Sequence, residues 1–166
     1  MKRIAGLGAL VALALAQVTW APHLEVAGAF PNLILLAVLA ITWTAGVRSG
    51  LAWACAGGVL LDLTVSGAIG PHALALLAGV YATGVWIRDL EHANAVHYAL
   101  SAVISTVVYS VVLVVTAGLL GSPVPDPMVA IRLTVAAAVY NAVLMPFAAE
   151  VMRRLRLISR SSVEAI

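Results

Sequence analysis

Gly57-Gly58-Val59-Leu60-Leu61-Asp62-Leu63 sets one carboxylate inside a long apolar run. A carboxylate in hydrocarbon costs several kcal/mol (from roughly 3 to above 10 by different methods), so it rarely stands without a partner, water or a nearby membrane surface. The run that holds Asp62 is one of six, at about 4–21, 31–47, 49–66, 71–87, 96–120 and 128–151. As helices they are roughly 25–37 Å long, against a hydrocarbon core of about 30 Å. The 166-residue chain is 63% hydrophobic and 10% charged. A soluble domain carries about 25% charged residues, so polar material is too scarce here to coat a globule. No alternating polarity points to a barrel, and helices alone then satisfy the backbone in lipid. The reading is an all-α integral membrane protein, a single domain built as a compact bundle of six transmembrane helices. A short basic tail follows over residues 152–166.

Breakers agree with these boundaries. Pro22 ends the first span, and Gly28 with Pro31 opens the second. Gly67 and Gly70-Pro71 turn between spans three and four, and Gly121-Ser122-Pro123-Val124-Pro125-Asp126-Pro127 separates spans five and six. Orientation follows from the basic residues. With the N-terminus in the cytoplasm, Lys2, Arg3, Arg48, Arg88, Arg153, Arg154, Arg156 and Arg160 all fall inside, and only Arg132 falls on the outer half. Both termini are then cytoplasmic. Met1-Lys2-Arg3 followed by an apolar stretch and Ala14-Leu15-Ala16 also resembles a cleavable signal peptide. The run continues through Val18, Trp20 and Ala21, which favours a retained helix.

Net charge is +2, with basic residues too few and too dispersed for a nucleic-acid stripe. Cys55, the one cysteine, reads as a small buried hydrophobe. The short loops leave no room for a soluble domain or a glycine-rich phosphate loop. The histidines and carboxylates lack metal-ligand spacing, so no metal and no cofactor is expected. No nucleophile–base pair can be assembled, which makes an intramembrane enzyme the least favoured class.

Asp62 lies four residues before the expected outer end of its span, and Arg132 four residues after the outer start of span six. Each is then about 6 Å deep, which makes them candidates to pair or to share a polar pocket. The alternative has Arg132 snorkelling to headgroups or meeting Asp126, while Asp62 reaches water. His72, after Gly70-Pro71 on the same side, is a candidate to cap that pocket. Asn32, after Pro31, suits the N-terminus of span two, and Asn141 in mid-span wants a partner on another helix. Pro146 frees the carbonyl of Ala142 and permits a kink. Glu150 stands three and four residues before Arg153 and Arg154, the spacing of a local ion pair. Arg153, Arg154 and Arg156 can also contact anionic lipid or a cytoplasmic partner. Gly46-x-x-x-Gly50, Ala54-x-x-x-Gly58 and Ser101-x-x-x-Ser105 mark possible close helix contacts. Ser101, Ser105, Thr106 and Tyr109 face the bundle or bond back to their own helix.

Pro31-Asn32-Leu33, then Gly58-Val59-Leu60-Leu61-Asp62-Leu63, then Ser66-Gly67-Ala68-Ile69-Gly70, then Asn141 with Pro146 before Arg153-Arg154, resembles the rod shape-determining MreD family. The likeness runs from about residue 20 to residue 157 and rests on the order and spacing of these motifs. It implies a multi-pass protein of the bacterial cytoplasmic (inner) membrane, non-enzymatic, in the machinery that lays down lateral peptidoglycan. The implied direct partner is MreC; RodA, a class B penicillin-binding protein and MreB filaments are indirect ones. The implied fold resembles the substrate-binding subunit of energy-coupling-factor transporters. Asp62, Pro31, Asn141 and Pro146 match the family pattern without a catalytic role. The outer faces of spans two, three and six are the expected partner site. The competing reading is a vitamin-like small-molecule-binding subunit of a transporter. An enclosed polar pocket of roughly 300 Å³ or more would favour that reading, and a lipid-facing groove would favour the scaffold.

Overall fold

The computed structural model describes residues 2–20, 23, 25, 28–64, 68–88 and 93–164, with side chains described between Gly8 and Leu155. Among the described residues six α-helices follow one another: α1 Lys2–Thr19, α2 Leu33–Ala45, α3 Val47–Thr64, α4 Pro71–Ile87, α5 Ala95–Leu119 and α6 Pro127–Glu164. No β-strand occurs among the described residues. Pro22, Ser66, Gly67 and His92, and the side chains of Lys2, Arg3, Arg156 and Arg160, lie outside what is described.

Local chemistry sets the helix ends. The Asn32 side chain accepts from the Leu35 N–H at 3.0 Å and caps α2. Gly46 alone separates α2 from α3, at φ +88°, a conformation that a side chain would strain. Gly46 therefore breaks the chain rather than packing a helix pair, as the Gly46/Gly50 spacing had suggested. Asn94 and His97 form a reciprocal capping box on α5. At the far end of α5, Ser122 donates to the Ala117 carbonyl and Gly121 to that of Gly118, the Schellman pattern. Asp126 then caps α6 by accepting from the Met128 N–H at 2.8 Å. Two expectations change here. α2 is shorter than the apolar run 31–47 that contains it. α6 continues through Pro146 to Glu164, so most of the expected tail is helix.

α2 is the axis of the bundle. It touches all five other helices and buries Ile34, Leu35, Leu36, Val38, Leu39, Ala40 and Thr42. A helix apolar on every side belongs in an interior, and its 13 residues make only about 20 Å of rod. Around it, α3, α4, α5 and α6 pack in chain order, and α1 lies on α2 and α3. α3 and α4 approach closely: a Cβ on Gly58 would meet the Ala73 backbone. α5 and the Pro127–Leu155 part of α6 are long and apolar enough to cross a membrane, while Gly8–Thr19, Leu33–Ala45 and Pro71–Ile87 are shorter apolar helices. Exposed aliphatic side chains line the outside of α6, among them Ile131, Val135, Val139 and Val143. Cys55 is also exposed, not buried as expected, because α3 turns it away from its neighbours.

Candidate functional site

Asp62 is buried to 3% exposure. Its carboxylate closes the first turn of α4. One oxygen accepts from the Gly70 N–H at 2.9 Å and the Ala73 N–H at 3.3 Å. The other accepts from the His72 N–H and from His72 Nδ1, each at 2.9 Å. A helix start leaves several N–H groups without an intrahelical acceptor. Here Pro71 has no N–H, Leu74 bonds the Gly70 carbonyl, and Asp62 takes all the rest. Gly70 makes this geometry possible at φ +126° but has no side chain to cap with. A residue of α3 therefore caps α4, and the helix dipole adds to the attraction.

His72 packs edge-on against Tyr109 of α5, with ring centroids 6.2 Å apart. Beside it a second polar set ties four helices together. Asn141 is fully buried; its oxygen accepts from the Asn32 N–H at 3.0 Å and its amide donates to Thr106 at 3.1 Å. Thr106 also bonds back to Ala102, so the hydroxyl serves both fates foreseen for it. Gln17 of α1 donates to the Pro31 carbonyl at 3.0 Å and accepts from the Leu33 N–H at 2.6 Å. Pro31 is itself fully buried. Gln17 escaped the sequence reading, although a lone amide in an apolar span is the same signal that singled out Asn141.

The structure brings together Asp62, His72, Asn32, Pro31 and Asn141, and it leaves Arg132 out. Arg132 is exposed, and the expected ion pair with Asp62 does not form. Equal depth would require the helices to end flush. They do not: Asp62 sits at the level of Tyr109 through His72, and Thr106 sits at the level of Asn141. Arg132 precedes Asn141 by nine residues of α6, which places it about 13 Å further out. The α5–α6 hairpin thus projects beyond the ends of α2, α3 and α4. Asp126 is occupied as the α6 cap.

Under that projection lies a partly open cavity of about 520 Å³. Gln17, Asn32, His72, Thr106, Tyr109 and Asn141 contribute its polar wall. A second hollow, about 810 Å³, is a groove between α1 and α6 floored by α2. It is almost wholly apolar, with Leu13, Leu36, Ile41, Leu144 and Phe147 on its walls. The groove runs toward Ser49 and Leu155, away from Asp62, rather than along the outer faces of the second, third and sixth spans. At that end Glu150 bonds Arg153 at 2.6 Å and Arg154 at 2.7 Å, as their spacing implied. Pro146 lies inside α6 without ending it. Among the described residues, no three His, Cys, Asp or Glu side chains group as metal ligands.

No curated protein and no solved structure matches the chain. The family model for the rod shape-determining protein MreD matches residues 4–155, nearly the whole length, taking in all or most of each helix and the Asp62 and Asn141 clusters. The chain therefore belongs to the MreD family, bacterial membrane proteins that act in determining rod shape.

Proposed function

We propose that this protein is a non-enzymatic scaffold of the cell-wall elongation machinery and that it binds the membrane helix of MreC. In this reading all six helices lie in the cytoplasmic membrane with both termini in the cytoplasm. The overall arrangement is then like the substrate-binding subunit of energy-coupling-factor transporters. RodA, a class B penicillin-binding protein and MreB filaments join through MreC. The basic end of α6 contributes Arg153, Arg154 and Arg156 to anionic lipid or to a cytoplasmic partner.

The observation that carries this reading is the groove between α1 and α6. Its length of apolar wall suits the side chains of one partner helix, and packing rather than water exclusion drives such contacts in lipid. Its floor is α2, the helix that touches all five others, so a docked helix would be fixed relative to every other element. Co-purification with MreC in nanodiscs tests the reading. Capture by the native protein and loss of capture on filling the groove with Ala148→Trp is the expected result. Failure of the native protein to capture MreC would remove it.

The cavity beneath the α5–α6 hairpin favours a second reading, a small-molecule-binding membrane subunit, because its volume falls within the usual range of ligand sites. The scaffold is preferred because it uses both the family's role in rod shape and the groove.

A further inference from the structure

We propose that the cavity beside His72 is a binding site for an uncharged small molecule with an apolar body and at least two hydrogen-bonding groups. The inference goes beyond the scaffold reading and holds whether or not a partner helix occupies the groove.

Three polar groups on the cavity wall carry it. Almost every helical serine and threonine hydroxyl among the described side chains is used internally. Thr19, Thr42, Thr44, Ser49, Thr64, Ser101, Thr106 and Thr116 bond back to their own helices. Thr83 and Ser105 bond each other across α4 and α5. Among the helical serines and threonines whose side chains are described, only Ser110 and Thr134 have a hydroxyl without a protein partner. Both line this cavity. The third group is His72. Its Nδ1 faces a carboxylate, which accepts only, so Nδ1 carries a proton, and in the neutral ring Nε2 is left as an acceptor. Asp62 thereby holds the ring in one orientation, and Nε2 has no protein partner among the described residues.

The wall also defines the ligand's chemistry. No Asp, Glu, Lys or Arg side chain lines the cavity among the described residues. The carboxylate of Asp62 is behind the wall with its hydrogen bonds already made. A charged ligand would find no counter-charge, which disfavours it in a low-dielectric site. Val18, Phe30, Leu61, Leu113, Leu133 and Ala137 supply apolar contact for the body of the molecule. Its donor meets His72 Nε2, and its second polar group meets the two hydroxyls from α5 and α6. About 520 Å³ admits a molecule of one or two rings.

Native mass spectrometry of the full chain released from nanodiscs, without any partner, tests the site in two ways. The protein as purified is inspected for a one-to-one adduct of a neutral small molecule. It is then titrated with tryptophol, a neutral indole with one ring N–H and one hydroxyl. Saturable one-to-one binding is expected in the native chain. The double change Ser110→Ala with Thr134→Val conserves shape and should weaken binding at least about tenfold. Thr134→Phe fills the cavity and should abolish binding; the shape-conserving pair decides the matter if that variant fails to fold. The proposal is overturned if the native chain shows neither an adduct nor tryptophol binding, or if the double variant binds as well as the native chain. A phospholipid adduct retained equally by both chains also overturns it, because acyl occupancy does not read the hydroxyls.

Discussion

Asp62 and His72 share two hydrogen bonds of 2.9 Å, one to the histidine ring and one to its backbone N–H, on a single carboxylate oxygen. Two helices are joined at that point. α3 supplies the acid, and α4 supplies its N-terminal donors and an oriented imidazole. The anomaly in an apolar run is thus a cap supplied by a neighbouring helix, and the burial of its charge is balanced by the four bonds it accepts.

Removing the acceptor leaves the half-buried N–H groups of Gly70 and His72 and the buried N–H of Ala73 without partners. Asp62→Ala should destabilise the protein by about 3 kcal/mol or more, at roughly 1–3 kcal/mol per unsatisfied group with partial relaxation. Thermal unfolding in a mild detergent measures this. Asp62→Lys should be worse, since it sets a cation against the positive end of a helix. Unchanged unfolding for both variants would show that water replaces the carboxylate.

Gly58 and Gly118 make a matched pair of glycine-to-alanine tests. A Cβ on Gly58 falls on the Ala73 backbone, which cannot step aside without parting α3 from α4. Gly58→Ala should cost about 2 kcal/mol or more from this overpacking. At Gly118 the nearest atom is the Val124 side chain at 3.8 Å, an ordinary contact. Gly118→Ala should be neutral or stabilise by up to about 1 kcal/mol through helix propensity. Equal effects at the two positions would refute the close α3–α4 approach.

Asn141 links α6 to both α2 and α5. Asn141→Ala should cost about 2 kcal/mol, chiefly through the Asn32 N–H it orphans. A double-mutant cycle with Thr106→Val separates the two bonds. An interaction energy of roughly 0.5–1 kcal/mol is expected, because polar contacts between membrane helices are individually modest. Zero coupling would mean that the amide and hydroxyl act independently.

Glu150, Arg153 and Arg154 lie at the surface, where exposed ion pairs contribute little. Glu150→Gln should leave the unfolding midpoint unchanged while releasing two guanidinium groups. Binding of the protein to vesicles containing phosphatidylserine should then rise, and the gain should vanish at high salt. A large loss of stability would show that the pair holds the end of α6 in place.

The sequence by itself determined how many helices there are, roughly where they break, and the family. These are local properties. Apolar runs, the Gly70-Pro71 turn, the Asn32 cap and the Glu150–Arg153 spacing each act within a few residues, so they survive without knowledge of the neighbours. His72 was legible near Asp62 for the same reason, since the two are only ten residues apart in the chain. Relative heights were not legible. Counting from helix ends puts Arg132 level with Asp62, yet the α5–α6 hairpin extends well past its neighbours. That offset is decided by contacts between helices: Gly58 on Ala73, Asn141 on Asn32 and Thr106, and Gln17 on Pro31 and Leu33. Only the tertiary structure could therefore give Asp62 its true partners and bring Ser110, Thr134 and His72 to one cavity. Those three residues belong to three helices, and no spacing along the chain encodes how far one helix slides past another.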